Sequence, residues 1–183
     1  MEQKQVNRRD FLQTAAAVGA VALTIGNGFN VFGSDSPIIA VYVCSICGHL
    51  EFNTIPGVCP VCHAAKEAFQ RNDTVFTDAE SKFKEKTLTH APVVTAYPKS
   101  TLVTEEPTIA VETKIGKKLH PMEQSHYIRF IDCYIDDKYV TRLLLTLATH
   151  PTVSINIKQP GKKIRIVALC NLHGYWQSET TVM

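Results

Sequence analysis

The stretch TVSINIKQPGKKIRIVALC, residues 152–170, decides the fold. Val153, Ile155 and Ile157 alternate with Ser154, Asn156 and Lys158, so an extended chain presents one apolar and one polar face. After the turn-forming QPGKK (159–163), the same period of two resumes with Ile164, Ile166 and Ala168. A helix would scatter these side chains around its circumference, whereas a strand aligns them. Working outward, HYIRFIDCYI (126–135) and KYVTRLLLTL (138–147) predict a hairpin across Asp136 and Asp137. TIAVETKI (108–115) and APVVTAY (91–97) supply earlier strands. Cys133 falls on a strand that is apolar on both faces and reads as a buried free thiol.

Several short strands over about ninety residues, with almost no helix signal, predict a mainly β chain whose main body is an antiparallel β-sandwich of immunoglobulin-like size. At 183 residues and 45% hydrophobic, the chain buries one good core and leaves room for a small module beside it. Its formal charge of +2, from 19 basic and 17 acidic side chains, gives no strong field, which argues against nucleic acid as a partner. NDTVFTDAESKFKEK (72–86) is polar, and Thr77 with Glu80 has capping-box spacing, so it reads as a short solvated helix or a linker.

Four cysteines form two tidy pairs, Cys44-x-x-Cys47 and Cys59-x-x-Cys62. Two facing knuckles of this kind make a tetrahedral four-sulfur cage, which the spacing alone would fill with iron or zinc. The competing reading, a disulfide within each pair, closes a very small loop and stabilises little. The stretch YVCSICGHLEFNTIPGVCPVCHAAKEAF (42–69) resembles the rubredoxin-like domain of rubrerythrins, with Cys-Pro-x-Cys in its second knuckle. The resemblance implies iron and electron transfer. It departs at His63, where the family usually has glycine and where the turn calls for positive φ. His49 and His63 read as surface residues, because the cage is already full.

A further thiol stands in CNLHGYW (170–176), and histidines stand in LHPMEQSHYI (119–128) and THAPVV (89–94). A sandwich gathers loops from distant positions at one rim, where these groups can converge. HPMEQSHYI, CNLHGYW and the upstream HAPVV resemble the iron-binding domain of desulfoferrodoxins and neelaredoxins, the superoxide reductases. That resemblance implies a mononuclear iron with His90, His120, His126 and His173 as ligands in a plane, Cys170 as the axial thiolate and one vacant position. It further implies one-electron reduction of superoxide to hydrogen peroxide, with the four-cysteine centre as electron relay. A small redox protein as electron donor and a homodimer follow as expectations. Two rival readings differ in class: an exported electron carrier or redox sensor without turnover, and a zinc ribbon joined to an inert binding sandwich.

The family's Glu-Lys pair before the first histidine is replaced here by Leu88 and Thr89, while Glu85 and Lys86 lie just upstream. Lys117 and Lys118 read either as attractors of an anionic substrate or as solvated turn residues, and Glu123 as a neighbour of the site. Tyr175 and Trp176 read as packing beneath the loop, and His150 as solvent-exposed. At the N-terminus, VNRRDFLQTAAAVGAVALTIGNG (6–28) resembles a twin-arginine export signal, with Arg8 and Arg9 ahead of an apolar run too short to span a bilayer comfortably. The resulting organisation is a signal segment at 1–35, a rubredoxin-like domain at 38–71, a linker or helix at 72–86 and a superoxide reductase-like sandwich at 87–180. The resemblance implies the twin-arginine machinery as a partner and a periplasmic or otherwise extracytoplasmic destination. A retained signal would make a membrane anchor, and whether it is cut stays open.

Overall fold

The strands begin with β1 (Val41–Cys44), β2 (Leu50–Phe52) and β3 (Phe69–Arg71), which form a small antiparallel sheet in the order β2-β1-β3. Helix α1 (Val75–Lys82) and the single turn α2 (Thr87–His90) lead into β4 (Pro92–Thr101), β5 (Thr104–Ile115), β6 (Ile128–Ile135), β7 (Lys138–Leu144), β8 (Thr152–Ile157), β9 (Lys163–Cys170) and β10 (Gly174–Thr181). These belong to a computed structural model that describes residues 39–101, 104–158 and 161–182. The signal segment expected at 1–35 lies outside the described residues, as do Gln159 and Pro160 of the 159–163 turn.

Two antiparallel sheets, β10-β9-β6-β7 and β4-β5-β8, make the sandwich. Ala96, Val111 and Ile115 from one sheet meet Ile131, Cys133, Ile135, Ile164, Ile166 and Ala168 from the other in a common core. Cys133 and Cys170 are buried and free, so no disulfide joins them. The β6–β7 hairpin turns on Asp136 (φ 47) and Asp137 (φ 64), two residues that tolerate the left-handed region a two-residue loop demands.

The period of two in β9 accounts for only one of its faces. From Ile164 to Cys170 the strand is buried throughout, because the small N-terminal sheet covers the other side. Val167 and Tyr134 join Val41, Leu50, Phe52, Val75 and Phe76 in a second apolar cluster. Arg165, which a solvent-facing position would leave free, instead lies with its guanidinium 4.2 Å from the Phe52 ring centre and 2.8 Å from Asp137. Helix α1 contributes to the same cover. It starts at Val75, three residues ahead of the helix that a Thr77 cap would start, and is not merely solvated: Val75, Phe76 and Ala79 are buried. The hydroxyl of Thr77 donates to the Thr74 carbonyl, while that of Thr74 bonds Asp78.

A buried polar network ties the two parts together. His49, expected at the surface, is fully buried, with Nδ1 3.4 Å from Asp132 and Nε2 2.9 Å from Glu51. Burial opposes its charge, yet the hydrogen bonds to Asp132 and Glu51 outweigh burial and raise its pKa. Its placement results from docking of the knuckle onto β6, which the local sequence does not announce. Arg142 grips Asp132 with two bonds of 2.7 Å and donates from Nη1 to the Cys47 carbonyl at 2.9 Å. The hydroxyl of Tyr134 donates to the Leu50 carbonyl. Removing the guanidinium would take from the fully buried Asp132 carboxylate its charge partner and its two shortest hydrogen bonds. Arg142→Met is therefore expected to destabilise the metal-loaded protein by about 3–5 kcal/mol, read as a lowered thermal midpoint at constant metal content.

Candidate metal centres

The first knuckle runs from Cys44 to Gly48, whose N–H donates to the Cys44 carbonyl at 2.8 Å. The second repeats it, with the His63 N–H donating to the Cys59 carbonyl at 3.0 Å. Both turns close on a left-handed residue, Gly48 at φ 71 and His63 at φ 61, so His63 adopts the conformation that glycine serves in its counterpart. The four sulfurs lie within 4.8 Å of one another, with Cys44–Cys62 and Cys47–Cys59 both at 3.7 Å. A tetrahedron with metal–sulfur bonds of about 2.3 Å has edges of about 3.8 Å, so the cage fits an ion of that size. Burial pushes the Cys47 and Cys59 thiols up, while the Ala64 N–H brings Cys62 down to about 7. A cation would remove the cost of holding thiolates in this setting.

The second cluster stands at one end of the sandwich. Strand register fixes its members: Cys170 ends β9 opposite Ile128 and Gly174, and Pro92, just after His90, pairs with Ile115, shortly before His120. His90 Nε2 lies 2.9 Å from His173 Nδ1, 3.2 Å from His120 Nε2 and 3.3 Å from His126 Nε2. His173 Nδ1 is 3.1 Å from His126 Nε2 and 3.6 Å from Cys170 Sγ. His90, His126, Cys170 and His173 form a mutual set within 4.8 Å, which His120 joins through His90. His150, by contrast, is exposed.

Tautomers decide what such close nitrogens mean. Thr89 donates its hydroxyl to the Lys86 carbonyl, leaving its oxygen and that carbonyl as acceptors for His90 Nδ1 at 2.8 and 3.0 Å. His120 Nδ1 faces the Pro121 carbonyl. Both rings thus carry their proton on Nδ1 and present bare lone pairs on Nε2, two acceptors 3.2 Å apart with no hydrogen between them. A cation is the partner that this donor set fits. Burial, with His120 next in weight, lowers the pKa of His90 to about 3, and burial lowers that of His120 to about 4, keeping both neutral and ready to ligate. Burial raises the Cys170 thiol, opposed by the backbone N–H groups of Leu172 and His173 that stabilise its thiolate.

Surrounding residues hold this arrangement. Trp176 is buried, its ring centre 5.1 Å from that of His90, and its Nε1–H donates to the His173 carbonyl at 3.1 Å. Phe83 meets His173 edge-on at 4.7 Å. Glu123 and His126 exchange backbone hydrogen bonds of 3.0 and 2.9 Å, so Glu123 positions that imidazole through the main chain. His90, His120 and Cys170 are buried while His126 and His173 are half-buried, so solvent reaches the cluster on the side of the latter pair. There the field of Lys86 helps burial depress both imidazoles, with Glu85 opposing it at His173. Lys117 and Lys118 are exposed. The roles of Thr89, Phe83 and Lys86 escape sequence reading because each acts through a carbonyl, a ring edge or a field rather than through a motif.

A two-centre metalloprotein, with a four-sulfur knuckle module docked on an antiparallel sandwich that carries a nitrogen-and-thiolate cluster, is the class these features define. The family model described as desulfoferrodoxin matches residues 79–179, that of the rubrerythrin rubredoxin-like domain matches 42–70, and that of the twin-arginine translocation signal matches 5–24. The chain belongs to the desulfoferrodoxin family. It is 30% identical to a desulfoferrodoxin homolog of Archaeoglobus fulgidus over 77% of this chain and 97% of that one. With the desulfoferrodoxin of Desulfarculus baarsii, identity is 29% over 77% and 96%. Among solved structures, the superoxide reductase of Treponema pallidum is similar at TM-score 0.45 and 19% identity, over 76% of this chain and 97% of that one. No helix among the described residues is long and apolar enough to cross a membrane.

Two independent sites predict separable metal loading. Cys59→Ser is expected to lower bound metal from about two ions per chain to about one, and His126→Ala to weaken the other site by more than the roughly 10–100-fold that loss of an outer-shell partner costs, both read by elemental analysis after dialysis.

Proposed function

We propose that the chain is a superoxide reductase exported by the twin-arginine route to an extracytoplasmic compartment. His90, His120, His126 and His173 with Cys170 hold its catalytic iron, and Cys44, Cys47, Cys59 and Cys62 hold a second iron that relays electrons. The observation that carries this reading is the pair of Nε2 lone pairs of His90 and His120, 3.2 Å apart and turned toward each other beside a buried thiol. Imidazole nitrogens with one thiolate suit iron, and the half-buried side by His126 and His173 gives a small anion access. Iron held by these residues would supply one electron, so that superoxide with two protons would leave as hydrogen peroxide.

The chain's own residues prepare that exchange. Cys170 donates electron density, tempered by the N–H groups of Leu172 and His173. Lys86, whose field reaches both half-buried imidazoles, draws the anion toward the opening in place of the lysine that Thr89 replaces. Thr89 serves instead to orient His90. A small redox protein restores the electron.

Stopped-flow mixing of the reduced protein with superoxide tests the reading, and consumption no faster than spontaneous dismutation would overturn it. Cys170→Ser is expected to abolish the thiolate-to-iron absorption band of the second site and to slow superoxide reduction by on the order of 100-fold or more. Lys86→Ala should lower the second-order rate by about three- to tenfold and flatten its dependence on ionic strength, with metal content unchanged.

A further inference from the structure

We infer that Tyr175 is the bridge between the two metal centres, its hydroxyl completing a path from the four-cysteine cage to the imidazole-and-thiolate site. The inference rests on the reading that both sites hold redox-active iron. The Tyr175 hydroxyl donates to the Gly48 carbonyl at 2.8 Å, across 127 positions of sequence. Gly48 directly follows Cys47, a cage residue, and its own N–H is bonded to the carbonyl of Cys44, another. At the far end Tyr175 stands two residues after His173, with only Gly174 between them. One hydrogen bond therefore joins the neighbour of a sulfur ligand to the strand that starts one residue after a nitrogen ligand.

Gly48 is shaped for this contact. Its φ of +71 suits glycine, and a Cβ there would lie 2.8 Å from the Tyr175 hydroxyl oxygen, so any side chain would push the phenol away. Leu169, the neighbour of Cys170, and Phe130 also flank Gly48, but through apolar side chains without a hydrogen bond. Another hydrogen bond from the sandwich to this turn leads elsewhere. Arg142 reaches the Cys47 carbonyl from β7, but its guanidinium is committed to Asp132, and no residue of the second cluster lies on that strand. Of these two anchors, Tyr175 is the one whose chain continues through Gly174 to a ligand, His173.

The step moves one electron. Iron in the cage passes from ferrous to ferric as iron in the second site passes from ferric to ferrous. No bond breaks, and the phenol keeps its proton while donating to Gly48.

The test uses the full protein with both sites shown by metal analysis to hold iron. A radiolytic pulse of a one-electron reductant, without superoxide, is delivered to the oxidised protein. Redistribution of the electron between the centres is then followed through their visible bands. Tyr175→Phe replaces the 2.8 Å contact by a van der Waals gap about 1 Å wider, and because tunnelling decays steeply with distance, redistribution is expected to slow by about tenfold. Both reduction potentials, and the rate of the prereduced second site with superoxide, stay unchanged. Gly48→Ala, which displaces the hydroxyl from the other side, should slow the same phase in protein that keeps its cage spectrum. Equal rates in wild type and Tyr175→Phe overturn the bridge. Absence of any redistribution in the wild type overturns the bridge and the relay together, while superoxide reduction by prereduced protein stands or falls on its own measurement.

Discussion

Bare nitrogen lone pairs crowded against one another repel, and that repulsion organises much of what surrounds the second metal centre. His90 and His120 are turned inward because the carbonyls of Lys86 and Pro121 hold the proton on the opposite side of each ring. Without those acceptors either ring could protonate the inner nitrogen and close the site with a hydrogen bond to its neighbour. The cost is borne by a rigid frame in which β9, β6 and β10 hold Cys170, Ile128 and Gly174 in fixed register, and Trp176 backs His90. A pre-formed nest of acceptors has this price in the absence of a cation, and the packing that sustains it is what makes the site selective for one.

The same logic recurs at the seam. Asp132, buried on the outer face of β6, is acceptable only because Arg142, His49 and Tyr134 all turn toward it. Three of those four residues belong to the sandwich and the fourth, His49, directly follows the first cysteine knuckle, so docking of the knuckle completes the set of groups around the carboxylate. The rings of His49 and Tyr134 stack and Tyr139 meets both edge-on, so the three together exclude water from that group. Polar specificity fixes how the knuckle sits on the sheet, and the apolar cluster of Phe52, Val167 and Phe76 supplies the driving force.

Sequence reading reaches the parts whose logic is local. Alternation reveals the strands from Pro92 onward, and the Asp136–Asp137 turn marks a hairpin, because each depends on residues a few positions apart. Cysteine spacing reveals the cage for the same reason, and the positive φ expected at His63 is a property of a four-residue turn. The convergence of His90, His126, Cys170 and His173 is legible through resemblance rather than through pattern, since nothing local ties position 90 to position 173. What stays hidden depends on docking. His49 gives no sign of burial, Arg165 looks like a solvent-facing residue of an alternating strand, and Val75 and Phe76 look like part of a polar linker. Each acquires its role only when two surfaces meet. Lys86 is a related case, for its influence passes through space from α2's leading edge to rings that the sequence places forty and more positions away.

Burial of β9 on both faces bears on truncation and engineering. A shortened chain beginning at β4 would keep every strand of the sandwich and all but one of the second cluster's side chains, yet it would bare Tyr134 and Val167 along a strip now roofed by Phe52 and Val41. Asp132 and Arg165 would regain water, but the apolar strip between them would be left as a sticky seam that invites self-association. Solubilising such a fragment would call for polar substitutions on that face alone, leaving the inward row of Ile164, Ile166 and Ala168 untouched.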